Sequence, residues 1–425
     1  MPGNIIKRGR MNGYIRLLVA AGLAALAVPM AAQQEVPMRG NTPVAPQGIK
    51  APPLPDTPVR YETGEGQTIK VSVYARGFQN PWSMAFVSDD TILVAERGGA
   101  IKAVRNGVVD PTPVAGAPRA MGAGLSGTDL ALHPDFARNH LVYISYTKPL
   151  DPPGAAPPPP APAGGRGGRG AAPRTAVAVA VAVWNGKEFT GTRDIFVDEG
   201  SSGGPIVFGG DGMLYVARGG GDTQNPNSLA GKILRLTEEG KVPPDNPFVG
   251  RTDARPEIFT MGHRTFLRMA KHPQTGAIWQ IENGPNGGDE VNILTPGSNY
   301  GWPLVSLGRT YAGPWQGPLS KEGFKDPLIY WMPAIAVSSI TFYTGDRLPK
   351  WKGDVFVTGM RYGEIPGTGQ LHRILINKNF EELRREALLV DLHRRYRDVK
   401  QGRDGLLYLL TDEADAVMLR IEPSE

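Results

Sequence analysis

The sequence predicts an all-β protein, a six-bladed β-propeller, on three observations. Glycine (55) and proline (40) together exceed a fifth of the 425 residues, which suits many short strands joined by tight turns and disfavours long helices. A turn rich in Gly or Asp followed by a short β-branched or aromatic strand recurs six times between residues 88 and 412. A four-stranded blade takes about 40 to 50 residues, so six repeats with insertions account for the length. Six-fold recurrence argues against the competing architecture, a pair of β-sandwiches.

In chain order, Ser88-Asp89-Asp90 leads into Thr91–Arg97, Asn139-His140 into Leu141–Tyr146, and Gly210-Asp211-Gly212 into Met213–Arg218. Thr275-Gly276 then leads into Ala277–Ile281, Lys352-Gly353-Asp354 into Val355–Gly359, and Arg403-Asp404-Gly405 into Leu406–Asp412. Further strands are expected at Ile101–Arg105, Ala176–Trp184, Lys232–Leu236, Ile340–Tyr343 and Leu371–Ile376. Many of these segments alternate apolar and polar residues at period two.

The flanks differ in composition. Lys7, Arg8, Arg10 and Arg16 precede the apolar run Leu17–Met30, and Ala31-Ala32 offers a cleavage region, so residues 1–32 read as a secretory signal peptide. An uncleaved anchor is the alternative, but the run is short for a membrane span. A periplasmic or secreted protein is expected, with no stable membrane span after signal cleavage. Removing those four cations takes the formal net charge from +5 to +1, which leaves no electrostatic footprint for nucleic acid. Residues 33–60 read as a Pro-rich leader, and 61–425 as the propeller. Within it, the low-complexity stretch 149–174 reads as a loop. Its GGRGGRG lacks a Walker Lys-Ser/Thr, so a plain linker is favoured over a phosphate loop or an RNA-binding segment.

No cysteine is present, which excludes disulfides, thiolate metal sites and a cysteine nucleophile. There is no Gly-x-Ser-x-Gly elbow, and the six histidines show no metal-ligand spacing. His133 is expected to stabilise a turn, while His263 is open to either a site or a structural role. Arginines recur at strand ends: Arg264, Arg361, Arg395 and Arg397. Arg395 and Arg397, at i and i+2, share a face of a strand, and their convergence with the others implies a polyanionic ligand. Taken singly, each is more simply a surface or structural ion pair. The run Gly284–Glu290 suits either a hard cation or a tight glycine turn.

Several motifs then fall in a specific order: Asn80–Phe86 (NPWSMAF), Leu130–Phe136 (LALHPDF), Gly231–Leu236 (GKILRL), Pro243–Pro247 (PPDNP), Gly262-His263-Arg264, Gly284-Pro285 with Gly288-Asp289-Glu290, Asn299–Pro303 (NYGWP) and the RYRDV ending at Val399. On these the chain resembles, over residues 69–423, the soluble pyrroloquinoline-quinone-dependent aldose sugar dehydrogenases of the glucose/sorbosone dehydrogenase family. The resemblance implies a six-bladed propeller holding pyrroloquinoline quinone (PQQ) and calcium. It implies that Arg264, Arg395 and Arg397 contact the quinone, with Arg361 standing where the family usually has Lys. The carbonyls of Gly284 and Pro285 match ligands of the cofactor calcium. Glu290 and the Tyr300 carbonyl match a second, structural calcium.

The departures are local. Where the family has a catalytic His in His-x-Gly-Gly-Arg, the chain has Ser201-Ser202-Gly203-Gly204-Pro205. After Gly262-His263-Arg264 the family continues Asn-Pro-Gln-Gly, whereas Thr265-Phe266-Leu267-Arg268 follows here. The Gly-Leu-Leu-Gly before LALHPDF is altered to Gly127-Thr128-Asp129. The expected function is therefore an exported quinoprotein oxidoreductase acting on a sugar or related alcohol and passing electrons to an acceptor, with the base position altered and the catalytic residue unassigned. The alternative is a non-catalytic propeller that binds a ligand and keeps the fold and calcium; a calcium-dependent lactonase-type hydrolase is a third reading.

Overall fold

The computed structural model describes residues 38–39, 42–43, 48–121, 127–152, 173–200 and 203–424. The segment read as a signal peptide, most of the low-complexity loop, and Ser201-Ser202 lie outside the described residues. The chain divides into two units. In Met1–Pro46 the pair Met38–Arg39 and Thr42–Pro43 is antiparallel. Gln47–Glu425 carries all the remaining strands.

Those strands form six antiparallel sheets. Blade 1 is Pro81–Phe86, Thr91–Glu96, Ile101–Arg105 and Val108–Val109. Blade 2 is Asp129–Leu132, Leu141–Pro149, Thr175–Trp184 and Phe189–Glu199. Blade 3 is Ile206–Phe208, Leu214–Arg218, Lys232–Leu236 and Ile258–Met261. Blade 4 is Phe266–Lys271, Ile278–Glu282, Asp289–Ile293 and Ile329–Trp331. Blade 5 is Val337–Phe342, Val355–Gly359, Gln370–Ile376 and Glu382–Leu388. Blade 6 is Tyr396–Gln401, Leu407–Thr411 and Ala416–Pro423, completed by Thr68–Phe78 and Val59–Glu62 from the other end of the chain. The first strand of each blade touches the first strand of the next, and blade 6 returns to blade 1, so the architecture is a closed six-bladed propeller. Joining both ends of the chain in one sheet leaves the ring no unpaired seam.

Each of the six recurring segments is the second strand of a blade. Turn chemistry explains the repeat. In blades 3 and 6, Asp211 and Asp404 accept the main-chain N–H two residues on, at 3.1 Å in both. Their other oxygen accepts the hydroxyl of Tyr215 (2.9 Å) and Tyr408 (2.8 Å). The glycine after each Asp has a left-handed φ, 75° at Gly212 and 76° at Gly405, which a β-branched residue would resist. Between blades, alternate side chains of facing sheets form the core, with Trp279 and Trp351 fully buried.

One end of the ring gathers the starts of the first strands and the ends of the second strands, which are antiparallel partners. At that end four first strands carry a register irregularity at their second residue: Trp82, Leu267, Ser338 and Arg397. A bulge re-aims one side chain and twists the strand, a device common beside functional sites.

Candidate functional site

The residues following three of these bulges converge in an axial network. Arg268 of blade 4 is 1% exposed and pairs with Asp129 of blade 2 and, at 3.5 Å, with Asp398 of blade 6. The terminal nitrogen that faces Asp398 also donates to the Trp82 carbonyl at 2.8 Å. Asp129 also accepts the Ile206 N–H (3.0 Å), while Asp398 accepts the Met84 N–H (3.0 Å) and the Ser339 hydroxyl (2.6 Å). One guanidinium and two carboxylates thus lock first strands from all six blades. Both acids are satisfied from several directions and the base through its two terminal nitrogens, its Nε being buried without a partner among the described residues. Asp129 and Arg268 both belong to the segments in which the sequence departs from the family pattern, and they meet here.

Toward the mouth the balance reverses. Arg97, at the end of the second strand of blade 1, donates to both oxygens of Asp412 at 2.9 Å. Arg397 donates to the same carboxylate at 2.5 Å and Arg395 at 3.3 Å. The Trp82 ring lies under two of these guanidinium groups, 4.2 Å from Arg397 and 5.3 Å from Arg97. Three cations on one anion leave a formal excess of +2. Burial pulls the Arg397 guanidinium down to about 10 against the attraction of Asp412. Burial pushes Asp412 up, yet Arg397 and Arg97 together carry it below the usual carboxylate range. The Nε atoms of Arg97 and Arg397 are buried without a partner among the described residues. The Nε atoms of Arg268, Arg394 and Arg420 are unpartnered among these residues too, so it is the surplus positive charge about Asp412 that suits an anion.

Arg361 and Arg264 occupy the same end. Arg361 pairs with Glu364 at 3.0 Å, and its neighbour Met360 places sulfur 3.4 Å from Arg395. Arg264 donates to the carbonyls of Asn283 and Gly284, both at 2.9 Å, and stacks over Trp302 at 5.1 Å. Gly284 has no room for a side chain, since a Cβ would stand 2.0 Å from the Gly287 carbonyl oxygen. The carbonyl matched to the cofactor calcium therefore faces a guanidinium, and a cation there requires Arg264 to turn away. Pro285 follows in the same turn, its ring packed at Gly308. Among the described residues Glu290 has a single hydrogen-bond contact, 3.4 Å from the Asn292 amide, and burial, then the neighbouring Glu282, push its carboxyl well up. That is an acid short of a counter-charge. Tyr300 stacks on His263, 4.7 Å between centroids, and its hydroxyl donates to the Ile293 carbonyl at 2.6 Å. Among the described residues no group of three or more His, Asp or Glu forms a metal cluster.

The open question at His263 resolves as structural, and His133 stabilises its turn as expected. His263 is fully buried, with Nδ1 3.0 Å from Glu282 and Nε2 2.9 Å from the Thr260 hydroxyl. His133 holds its turn through Asn139 at 2.7 Å and the Asp135 N–H at 3.0 Å. Sequence reasoning missed Arg97, Asp412 and Trp82. The repeat held a signal for the first two, because both stand at equivalent strand ends in adjacent blades.

A closed six-bladed propeller with a cationic, tryptophan-floored mouth defines the class. The family model for glucose/sorbosone dehydrogenase matches residues 78–420, and the chain belongs to that family. It is similar to the aldose sugar dehydrogenase YliI of Escherichia coli, 33% identical over 84% of this chain and 93% of that one. It is also similar to quinoprotein glucose dehydrogenase B of Acinetobacter calcoaceticus, 28% identical over 45% of this chain and 50% of that one. A solved glucose dehydrogenase superposes with a TM-score of 0.73 at 33% identity, covering 83% of this chain and 99% of its own.

Proposed function

We propose that the chain is an exported quinoprotein that binds PQQ at the mouth and oxidises a sugar or related alcohol, passing the electrons to an external acceptor. The observation that carries this reading is the arrangement of Arg97, Arg395 and Arg397 about the single carboxylate of Asp412. A planar tricarboxylate would take up the surplus charge, with Trp82 as an aromatic floor. When bound, the quinone supplies a two-electron acceptor for hydride from the substrate. Arg264 and Arg361 would flank it from blades 4 and 5. The names of the E. coli and Acinetobacter relatives support a sugar as substrate and a quinone as cofactor.

Calcium belongs to the same proposal. The Gly284–Pro285 carbonyls supply hard oxygen ligands, and Glu290 supplies an uncompensated acid, which suits a cation of that type. Proton acceptance is the altered step. Asp412, pinned by three guanidinium groups, is too weak a base, and Ser201 in the family's His position offers a hydroxyl where an imidazole would serve as base. Leu267, at the bulge of blade 4, replaces an amide with an apolar side chain. These two positions favour the second reading, a propeller that binds its ligand without turnover.

The cationic run before Leu17 supports export to the periplasm or beyond, and among the described residues no helix is long and apolar enough to cross a membrane. The test is dye reduction by purified protein supplied with PQQ and Ca²⁺, across a panel of aldoses and simple alcohols. Turnover of any aldose supports the dehydrogenase; cofactor binding with no turnover across the panel selects the binding module.

A further inference from the structure

The Pro-rich stretch ahead of Val59 is fastened to two blades. Residues 48–58 run from the mouth end down the outer edge of blade 6 and continue into Val59–Glu62, its outermost strand. On the way, Leu54 and Tyr61 pack against the core that blades 5 and 6 share, and the Tyr61 hydroxyl donates to Asp391 at 3.0 Å. At the far end the Gly64 N–H donates to Glu386 at 2.7 Å, while Glu65 pairs with Arg373 at 2.5 Å and Arg384 at 2.7 Å, all three partners on blade 5. The segment is a strap across the seam between the blades that carry Arg361 on one side and Arg395, Arg397 and Asp412 on the other.

Its mouth end meets the chain directly behind those residues. Ile49 donates its N–H to the Pro366 carbonyl at 2.9 Å, and Arg394 donates to the Pro52 carbonyl at 2.5 Å. The packing is close, since a Cβ on Gly367 would stand 1.9 Å from the Ile49 carbonyl oxygen, and one on Gly369 2.0 Å from that of Arg394. His393 closes the joint, its Nδ1 2.8 Å from the Gly367 carbonyl. Arg394 also reaches Glu413 at 3.3 Å, and Glu413 accepts the Arg395 N–H at 3.4 Å. The first half of the loop 361–369 is pinned to blade 5, through the Arg361 N–H on the Ile335 carbonyl (3.1 Å) and the Gly363 N–H on that of Ala334 (2.7 Å). Its second half leans on the strap and on His393. We propose that residues 49–52 are positioning residues for the mouth: by tying the loop 361–369 to Arg394, they fix the separation of Arg361 from Arg395 and Asp412. Loops held in the binding geometry beforehand spare a rigid anion the cost of ordering them, so the strap raises affinity at a site it does not touch. The proposal rests on the quinone reading only where PQQ is the probe.

The test compares hydrogen exchange, followed by mass spectrometry, in the full chain and three variants without added ligand. Ile49→Pro removes the N–H that reaches Pro366 and costs no core, because Ile49 is 47% exposed. It should speed exchange across residues 361–369 about tenfold or more, with the second strands of blades 1 to 4 unchanged. Ile49→Ala keeps the N–H and should behave as the parent, and Glu65→Gln, which loosens only the far end, should leave 361–369 as it was. PQQ titrated calorimetrically should then bind Ile49→Pro about tenfold more weakly than Ile49→Ala. Exchange at 361–369 indifferent to Ile49→Pro overturns the proposal, as does loosening that spreads through the whole ring or that Ile49→Ala reproduces. Faster exchange with PQQ affinity unchanged overturns it too. A parent chain that binds no PQQ removes the quinone reading and leaves the exchange comparison to decide whether the strap holds the loop.

Discussion

Arginine does opposite things at two levels of this ring. On the axis, Arg268 lies between Asp129 and Asp398, every partner is itself held by neighbouring blades, and one base faces two acids. At the mouth, three bases share the single acid Asp412. Compensated charge closes a structure, whereas surplus charge waits for a ligand. The same contrast separates residues whose loss should unfold the ring from residues whose loss should empty it.

The largest effect is expected at the axis. Arg268→Ala strands two buried carboxylates and should destabilise the fold by about 3–5 kcal/mol, read by urea denaturation. A loss under about 1 kcal/mol would show that the network is not a lock. At the mouth, Arg397→Gln should leave the denaturation midpoint close to that of the parent while weakening PQQ about a hundredfold, the loss of charge-assisted donors. An equal fall in stability would erase the distinction between the two levels. Asp412→Asn probes the mouth from the other side: without its only anion the cluster should lose stability in buffer and regain it on adding PQQ, read as a thermal shift.

A smaller gain is expected from Leu267→Gln, which returns an amide to the bulge of blade 4. It should raise PQQ affinity a few-fold at a cost in stability of about 1–3 kcal/mol, because Leu267 is buried in the core cluster that holds Trp82 and Trp279. The smallest effect is calcium itself. Adding Ca²⁺ should raise the midpoint by a few degrees, and Glu290→Gln should remove that shift.

The fold was legible because its repeat is local. Asp211 and Tyr215 are four residues apart, as are Asp404 and Tyr408, so one turn-and-strand unit announces itself each time it recurs. The arginines of RYRDV were legible as a pair for the same reason. Their partners were not. Arg97 and Asp412 are separated by 315 residues and meet only because the ring closes between blades 1 and 6. Arg268 and Asp129, 139 apart, meet across the axis, so a residue that marks a departure from the family pattern in the sequence becomes a structural lock in the fold. The bulges at Trp82, Leu267, Ser338 and Arg397 were also invisible, since strict period-two alternation assigns these residues to the wrong face.

The central claim is that the mouth is an anion site filled by a planar polycarboxylate. It is tested most directly by calorimetric titration of the purified chain with PQQ in Ca²⁺ buffer, run in parallel on Arg397→Gln. A one-to-one isotherm that weakens about a hundredfold in the variant, at unchanged stability, is the expected result. No heat of binding to the parent chain, or an isotherm indifferent to Arg397, would contradict it.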